Sequence, residues 1–280
     1  MGKEAIGSIA ARYPQLLLPL SFETKNSERY RAAVLRGEPV EGTPEFLTSE
    51  SDTLEVYATP AGEVPVLYLE IREDFEHALR ALAYRCEPRE ILPSVGASTV
   101  SGLINWERIR SHKREFLASG GWNWAAEFKR FTAEKENYQD TLILLSAGYY
   151  SAVPPESLGL TPELWREKSL VIRKYHELTH FVCRKLFRER KNVLRDEIYA
   201  DCIGLTAAFG SYHPNWARMF LGIENESYRP GGRLEHYFDT ANLPQMIPEA
   251  ERYIEEAAQR AASVPGSNVF ALLQKIYPQS

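Results

Sequence analysis

Apolar residues recur along the chain with two different periods, and the change between them divides it. Leu54–Thr59 and Val66–Ile71 are runs of strand length separated by the turn formers Pro60-Ala61-Gly62-Glu63, which predicts a β-hairpin. From Glu73 to about Arg85 the spacing turns helical, with Phe75, Leu79, Leu82 and Ala83 on one face. Pro88 and Pro93 bracket a loop, and Ser94–Ser101 is a run of small residues. A helix then resumes through about Phe116 until Gly120-Gly121 breaks it. Trp122 and Trp124 open another helix to about Thr132, and their indoles are expected in the core. Thr141–Ser146, TLILLS, is again of strand length.

Beyond that point the pattern is helical throughout. The longest stretch runs from about Pro162 to Phe187, and a second is N-capped by Asn192 and ended by Gly210. Further helices are predicted near 213–222, 233–241, 244–263 and 267–276. Residues 1–50 mix charge, Pro and Gly with little periodicity and read as an irregular lead-in. Strands early and helices late predict an α+β fold, a small N-terminal β-sheet region followed by a mainly helical half. Gly120-Gly121 is the expected border between a 1–120 and a 121–280 subdomain, unless the two form one continuous domain.

Charge adds little direction. Lys and Arg number 33 against 38 Asp and Glu, a net charge of −5, so no basic surplus points to nucleic acid or to an anionic membrane. Cys86, Cys183 and Cys202 form neither a disulfide framework nor a CxxC pair, which suits a reducing compartment. The longest apolar run near the start, Leu16–Leu20, is interrupted by Pro19 and is too short for a secretory segment. The expected setting is therefore cytoplasmic. GxSxG, P-loop and GxGxxG signatures do not occur.

The chemistry lies in the long helix, which reads His176-Glu177-Leu178-Thr179-His180. Residues four apart share a helix face about 6 Å apart along the axis, so two imidazoles can converge on one Zn2+ ion. Glu177, beside the first histidine, can reach a metal-bound water as general base. The histidine stripe is Ser169, Ile172, His176, His180, Cys183 and Phe187, and charge is confined mainly to a strip carrying Arg166, Arg173, Lys174, Arg184 and Lys185. Such a helix is apolar around most of its circumference and is expected in a core. Imidazoles and a carboxylate buried there need partners, because unpaired burial costs several kcal/mol.

Zinc at a catalytic site takes a third protein ligand and keeps one position open. The next helix offers Glu197, on a face shared with Val193, Asp201, Gly204 and Ala208. Small residues on that face allow close approach, and a turn through Arg188–Lys191 brings the chain back antiparallel. Asp201, one turn beyond Glu197, can accept a hydrogen bond from a ligating histidine and fix its tautomer.

HExxH on one helix with ExxxD on the next, over residues 171–205, resembles the gluzincin-type zinc metallopeptidases. The resemblance implies a zincin-like core with paired active-site helices. It implies His176, His180 and Glu197 as ligands, Glu177 as base and Asp201 behind the ligands. It also implies that the Thr141–Ser146 strand, with Leu142, Leu144 and Ser146, is an edge on which a peptide adds antiparallel. Enzymes of this type carry a second donor for the developing oxyanion C-terminal to the ligands. His213 and His236 are the histidines there, with Tyr212 and Tyr237 beside them, and His236, behind the Gly231-Gly232 turn, is the expected one.

The function expected from these residues is hydrolysis of a peptide or protein substrate. The alternatives are a zinc hydrolase acting on a non-peptide amide, and a zinc-binding regulatory protein without turnover. A fourth protein ligand, such as Cys183 or Asp201, would mark the last.

Overall fold

A computed structural model of the chain describes residues 2–186, 192–264 and 269–277. The residues form two compact units. The first comprises Met1–Tyr57, Val64–Ile91 and Ser98–Ser146, and the second Ala58–Glu63, Leu92–Ala97 and Ala147–Ser280. The main division thus falls after Ser146 and not at Gly120-Gly121.

The first unit is α+β. Its four-stranded sheet has the order β1-β2-β4-β3, from Thr53–Thr59, Gly62–Leu69, Gln139–Ser146 and Ala97–Ile104 respectively. β1 and β2 are the expected hairpin, with Thr59 Oγ1 donating to Gly62 O across the turn. β2 pairs parallel with β4, Val66 opposite Ile143 and Leu69 opposite Ser146. This corrects the edge-strand expectation for Leu142, Leu144 and Ser146: β4 is flanked on both sides, and all three residues are fully buried. The sequence carries the reason. An unbroken apolar run belongs to a strand covered on both faces, as β4 is here, whereas a strand with one face in solvent alternates.

Helices of this unit are α1 (Gly2–Arg12), α2 (Glu28–Tyr30, continuing into a π turn at Arg31–Leu35), α3 (Arg72–Leu82), α4 (Trp106–Ala118) and α5 (Trp124–Phe131). The lead-in is therefore not irregular. Ile6, Ile9 and Ala10 bury one face of α1, a stripe too short to stand out beside Gly2 and Gly7. β3 was also illegible: its small residues read as loop, yet Val100 and Leu103 are buried. Trp122 overturns the core assignment, being 87% exposed, and Trp124 is half-buried.

The second unit is helical. α6 (Pro162–Leu186) and α7 (Val193–Phe209) pack together, and α9 (Leu243–Ala262) and α10 (Val269–Ile276) pack on α7. α8 (Pro214–Leu221) leads into a two-stranded ribbon, β5 (Ile223–Glu224) with β6 (Ser227–Tyr228). Where a helix was expected at 233–241 there are only 3-10 turns, Arg233–His236 and Thr240–Asn242. Phe187 and the Arg188–Lys191 turn lie outside the described residues. No helix among the described residues is long and apolar enough to cross a membrane.

Candidate metal centre

Local sequence starts and stops both site helices. Thr161 Oγ1 accepts from Leu164 N at 3.3 Å ahead of α6, where Pro162 occupies the first position and loses no hydrogen bond there. Asn192 accepts from Arg195 N at 2.9 Å at the start of α7, and Gly210 ends it in the left-handed conformation.

The helices meet at Gly204. A Cβ there would lie 2.8 Å from Ile172 O and 3.0 Å from Ile172 Cγ2, so only glycine permits this separation. With Gly204 against Ile172, Asp201 reaches His176, and Glu197 reaches both His176 and His180. Partner numbers fall along α7 as they rise along α6, which is an antiparallel register.

Three donor atoms converge. His176 Nε2 is 3.0 Å from His180 Nε2 and 3.2 Å from Glu197 Oε2, and His180 Nε2 is 3.3 Å from Glu197 Oε1. Ligands bound tetrahedrally at zinc distances are separated by about 3.4 Å. All three residues are buried, at 7%, 5% and 8% exposure. Among the described residues they are the group able to hold a metal ion, and neither Cys183 nor Asp201 belongs to it.

The protons explain why a cation fits. His176 Nδ1 lies 2.9 Å from Asp201 Oδ1, and a carboxylate only accepts, so Nδ1 carries the hydrogen. In the neutral ring Nε2 then presents a lone pair to Glu197 and His180. Without a cation, a proton must fill that gap. Burial opposes charge on His176, but the hydrogen bonds and charges of Asp201 and Glu197 outweigh it and raise the pKa to about 9. Burial likewise pushes Glu197 up, and the charge of His180 with hydrogen bonds from both rings holds it well below the usual carboxylate range. The three donor atoms could hold a divalent cation in place of that proton.

Behind His176 sits a network the sequence did not show. Asp201, fully buried, accepts from Tyr150 Oη at 2.7 Å and from Arg233 Nη2 at 2.5 Å as well as from His176. Arg233 Nη1 also donates to Tyr150 Oη, whose oxygen lies 3.0 Å from His176 Nδ1. Burial raises the Asp201 carboxyl and the Arg233 charge overrides it, leaving it below its ordinary value. Tyr150 is held by its backbone N–H on Ser169 Oγ at 2.9 Å, and Ser151 and Ala152 follow it with φ of 54° and 55°. Left-handed backbone at two successive non-glycine residues costs roughly 1 kcal/mol or more each, and here it accompanies a positioned side chain.

Arg173 corrects another reading. It belongs to the charged strip of α6, yet it is 3% exposed, donating to Gly148 O and Tyr149 O at 2.8 Å each. A cavity of about 130 Å³ opens on the centre, lined by His176, Glu177, Glu197, Arg173, His236 and Tyr237 among others. His236 Nε2 is 2.9 Å from Ser94 Oγ, and burial together with the Arg233 charge lowers its pKa. Tyr237 Oη donates to Glu197 Oε2 at 3.0 Å. His213 lies elsewhere, stacked on Trp216 at 4.3 Å.

Residues 2–271 match a family described as a family of unknown function, DUF7005. The chain belongs to the DUF7005 family. No curated protein and no solved structure matches this DUF7005 chain.

Tyr150, Arg173 and Arg233 are the site residues sequence reasoning passed over. Arg233 and Tyr150 lie 32 and 51 positions from Asp201, and no helical or strand period links them to it. One signal was present: Asp201 needed a cationic partner once it was placed on a buried helix.

Proposed function

We propose that the chain is a zinc-dependent hydrolase of amide bonds, with His176, His180 and Glu197 as ligands and Glu177 as the proton carrier. The observation that carries the reading is the convergence of two imidazole nitrogens and one carboxylate within 3.0–3.3 Å, with the adjacent Glu177 lining the same cavity. Two imidazoles and one carboxylate are a donor set suited to zinc, and three protein ligands leave a position open as a catalytic site requires.

When bound, such an ion polarises a carbonyl and acidifies water. Glu177 accepts the proton released and returns it to the departing amine. His236, whose ring burial keeps neutral, donates an N–H toward negative charge developing on the carbonyl oxygen, and Tyr237 keeps the Glu197 carboxylate oriented. Asp201 holds the His176 proton on Nδ1, so the coordinating nitrogen keeps its lone pair.

A peptide bond is the substrate the gluzincin resemblance favours. The cavity of about 130 Å³ favours the smaller alternative, a non-peptide amide, because ligand pockets typically run from roughly 300 Å³ upward. The deciding experiment measures bound metal in the purified protein and turnover of a peptide library beside a panel of small amides. Zinc at one equivalent per chain with cleavage in either set supports the reading. A metal-free protein that stays inert when zinc is supplied overturns it.

A further inference from the structure

A second feature, within the first unit, has no part in that chemistry. α4 and α5 are joined through Ser119–Asn123, and the stretch from Phe116 to Trp124, FLASGGWNW, contains no charged residue. Trp122 stands at its apex 87% exposed, and Leu117 is 47% exposed. Trp at such exposure is rare in a soluble surface and signals contact with something apolar.

The tip is built for this display. Gly120 takes φ +89°, and a Cβ on Gly121 would lie 2.4 Å from the Phe116 ring, so the backbone lies flat on that ring. Below the tip, Phe116 and Phe128 flank Trp124 at 6.2 Å and 5.6 Å, and His112 stacks on Phe131 at 4.1 Å.

The charged residues flanking this apolar apex are mostly cations. Lys113 and Arg114 lie on the α4 side with one exposed carboxylate, Glu115, and Lys129 and Arg130 lie on the α5 side, all exposed. Glu127, the acidic residue nearest these cations on α5, is buried and bound to Arg130 and to His112 Nε2 at 2.6 Å, so its charge does not face outward. Residues 106–131 carry six Lys and Arg against three Glu in a chain whose net charge is −5. The whole-chain balance concealed this patch.

We infer that the α4–α5 tip docks on an anionic membrane surface, with Trp122 and Leu117 entering the interface and the flanking cations meeting lipid phosphates. An uncharged apex bearing Trp and flanked on both helices by exposed Lys and Arg in excess of the one exposed Glu is the pattern that interface selects: indoles settle at headgroup depth, and each basic residue near the surface adds attraction to acidic lipid. A nucleic-acid reading is less well served, since the exposed indole stands alone at the apex while the other rings are engaged with one another, His112 stacked on Phe131 and Trp124 tilted against Phe128.

Sedimentation of the full chain with vesicles tests the inference. Vesicles of phosphatidylcholine mixed with phosphatidylglycerol are expected to carry the protein down, those of phosphatidylcholine alone far less, and added salt is expected to release it. Trp122→Ala is expected to weaken partitioning about tenfold. Arg114→Gln and Lys129→Gln are each expected to weaken it about fivefold. All three positions are exposed, so the melting temperature of each variant stays with that of the parent. The inference is overturned if mixed vesicles bind no better than neutral ones or if Trp122→Ala binds like the parent. It is equally overturned if single-stranded RNA binds through Arg114 and Lys129 while vesicles do not.

Discussion

Two helical pairs in this chain handle charge and aromatic surface in opposite ways. In α6–α7 the charges around the centre turn inward: His176, Glu177, Glu197, Asp201 and Arg173, joined by Arg233 from its 3-10 turn, are all less than a tenth exposed. In α4–α5 Lys113, Arg114, Lys129 and Arg130 turn outward, and the indole of Trp122 between the helices goes with them. Burial forces each charge in the first pair to find a partner, and those partners define a site with a countable number of donors. Exposure leaves the second pair free of that demand, so its apolar apex is explained by what it meets outside the chain. The difference is open to attack at several points.

The largest expected effect breaks the inward pair at its chemistry. Glu177→Gln keeps the size and cavity position of the side chain but cannot take a proton. Turnover is expected to fall by at least about a thousandfold while zinc stays at one equivalent per chain. His176→Ala is expected to lose the metal instead. Metal analysis set beside hydrolysis rates separates the two outcomes, and unchanged turnover in Glu177→Gln would remove the proposed proton carrier.

Next comes the ion pair behind the ligand. Arg233→Met strips the guanidinium from the buried Asp201 carboxylate and leaves it only the His176 ring and Tyr150 as partners, a change expected to cost about 3 kcal/mol. Chemical denaturation is expected to read a loss of that size. Arg233→Lys restores the charge but cannot span both Asp201 and Tyr150, and is expected to recover only part. Zinc affinity in Arg233→Lys is expected to fall by about 10- to 100-fold through a misoriented His176, a readout that lost packing alone would not move. Trp165→Ala in the same unit, fully buried with Nε1 on Val153 O, is expected to cost about 3–5 kcal/mol without changing zinc affinity.

These two residues mark how far the sequence could be read. The ligand helices, their caps at Asn192 and Gly210, and the faces carrying His176, His180, Glu197 and Asp201 follow from local periods of three and four. Local periods survive folding because the helix itself sets them. The partners of Asp201 come from a loop at Tyr150 and a 3-10 turn at Arg233, where no period exists to be extended. The same limit hid β3, whose small residues have strand geometry only because a neighbouring strand supplies its hydrogen bonds. β4 differs: its apolar run reports burial of both faces, but the strands that pair along its edges, β2 and β3, are set by residues distant in sequence.

A smaller effect probes the proton in the gap between His176 and Glu197. Folding raises the His176 pKa from its ordinary 6.5 to about 9, so the protonated ring stabilises the metal-free protein. That contribution is whole below about pH 6.5 and is lost as pH rises through about 9. Its size is on the order of 3 kcal/mol. In chelator, the melting temperature is expected to decline across this window. With zinc supplied, the cation replaces the proton and the decline is expected to disappear. Parallel curves with and without zinc would mean that the ion does not sit between these two residues.

The smallest expected effect sharpens the contrast between the two pairs. Trp122→Ala removes the largest side chain type from the apex of α4–α5, yet at 87% exposure that side chain contributes little to the folded chain. Its loss is expected to shift stability by no more than about 0.5 kcal/mol, against the several kcal/mol of Trp165→Ala. A residue whose removal leaves folding unchanged and yet weakens membrane partitioning tenfold acts through an outside partner. A substantial drop in stability would mean instead that Trp122 packs against the chain in solution, and the outward pair would then differ from the inward one only in degree.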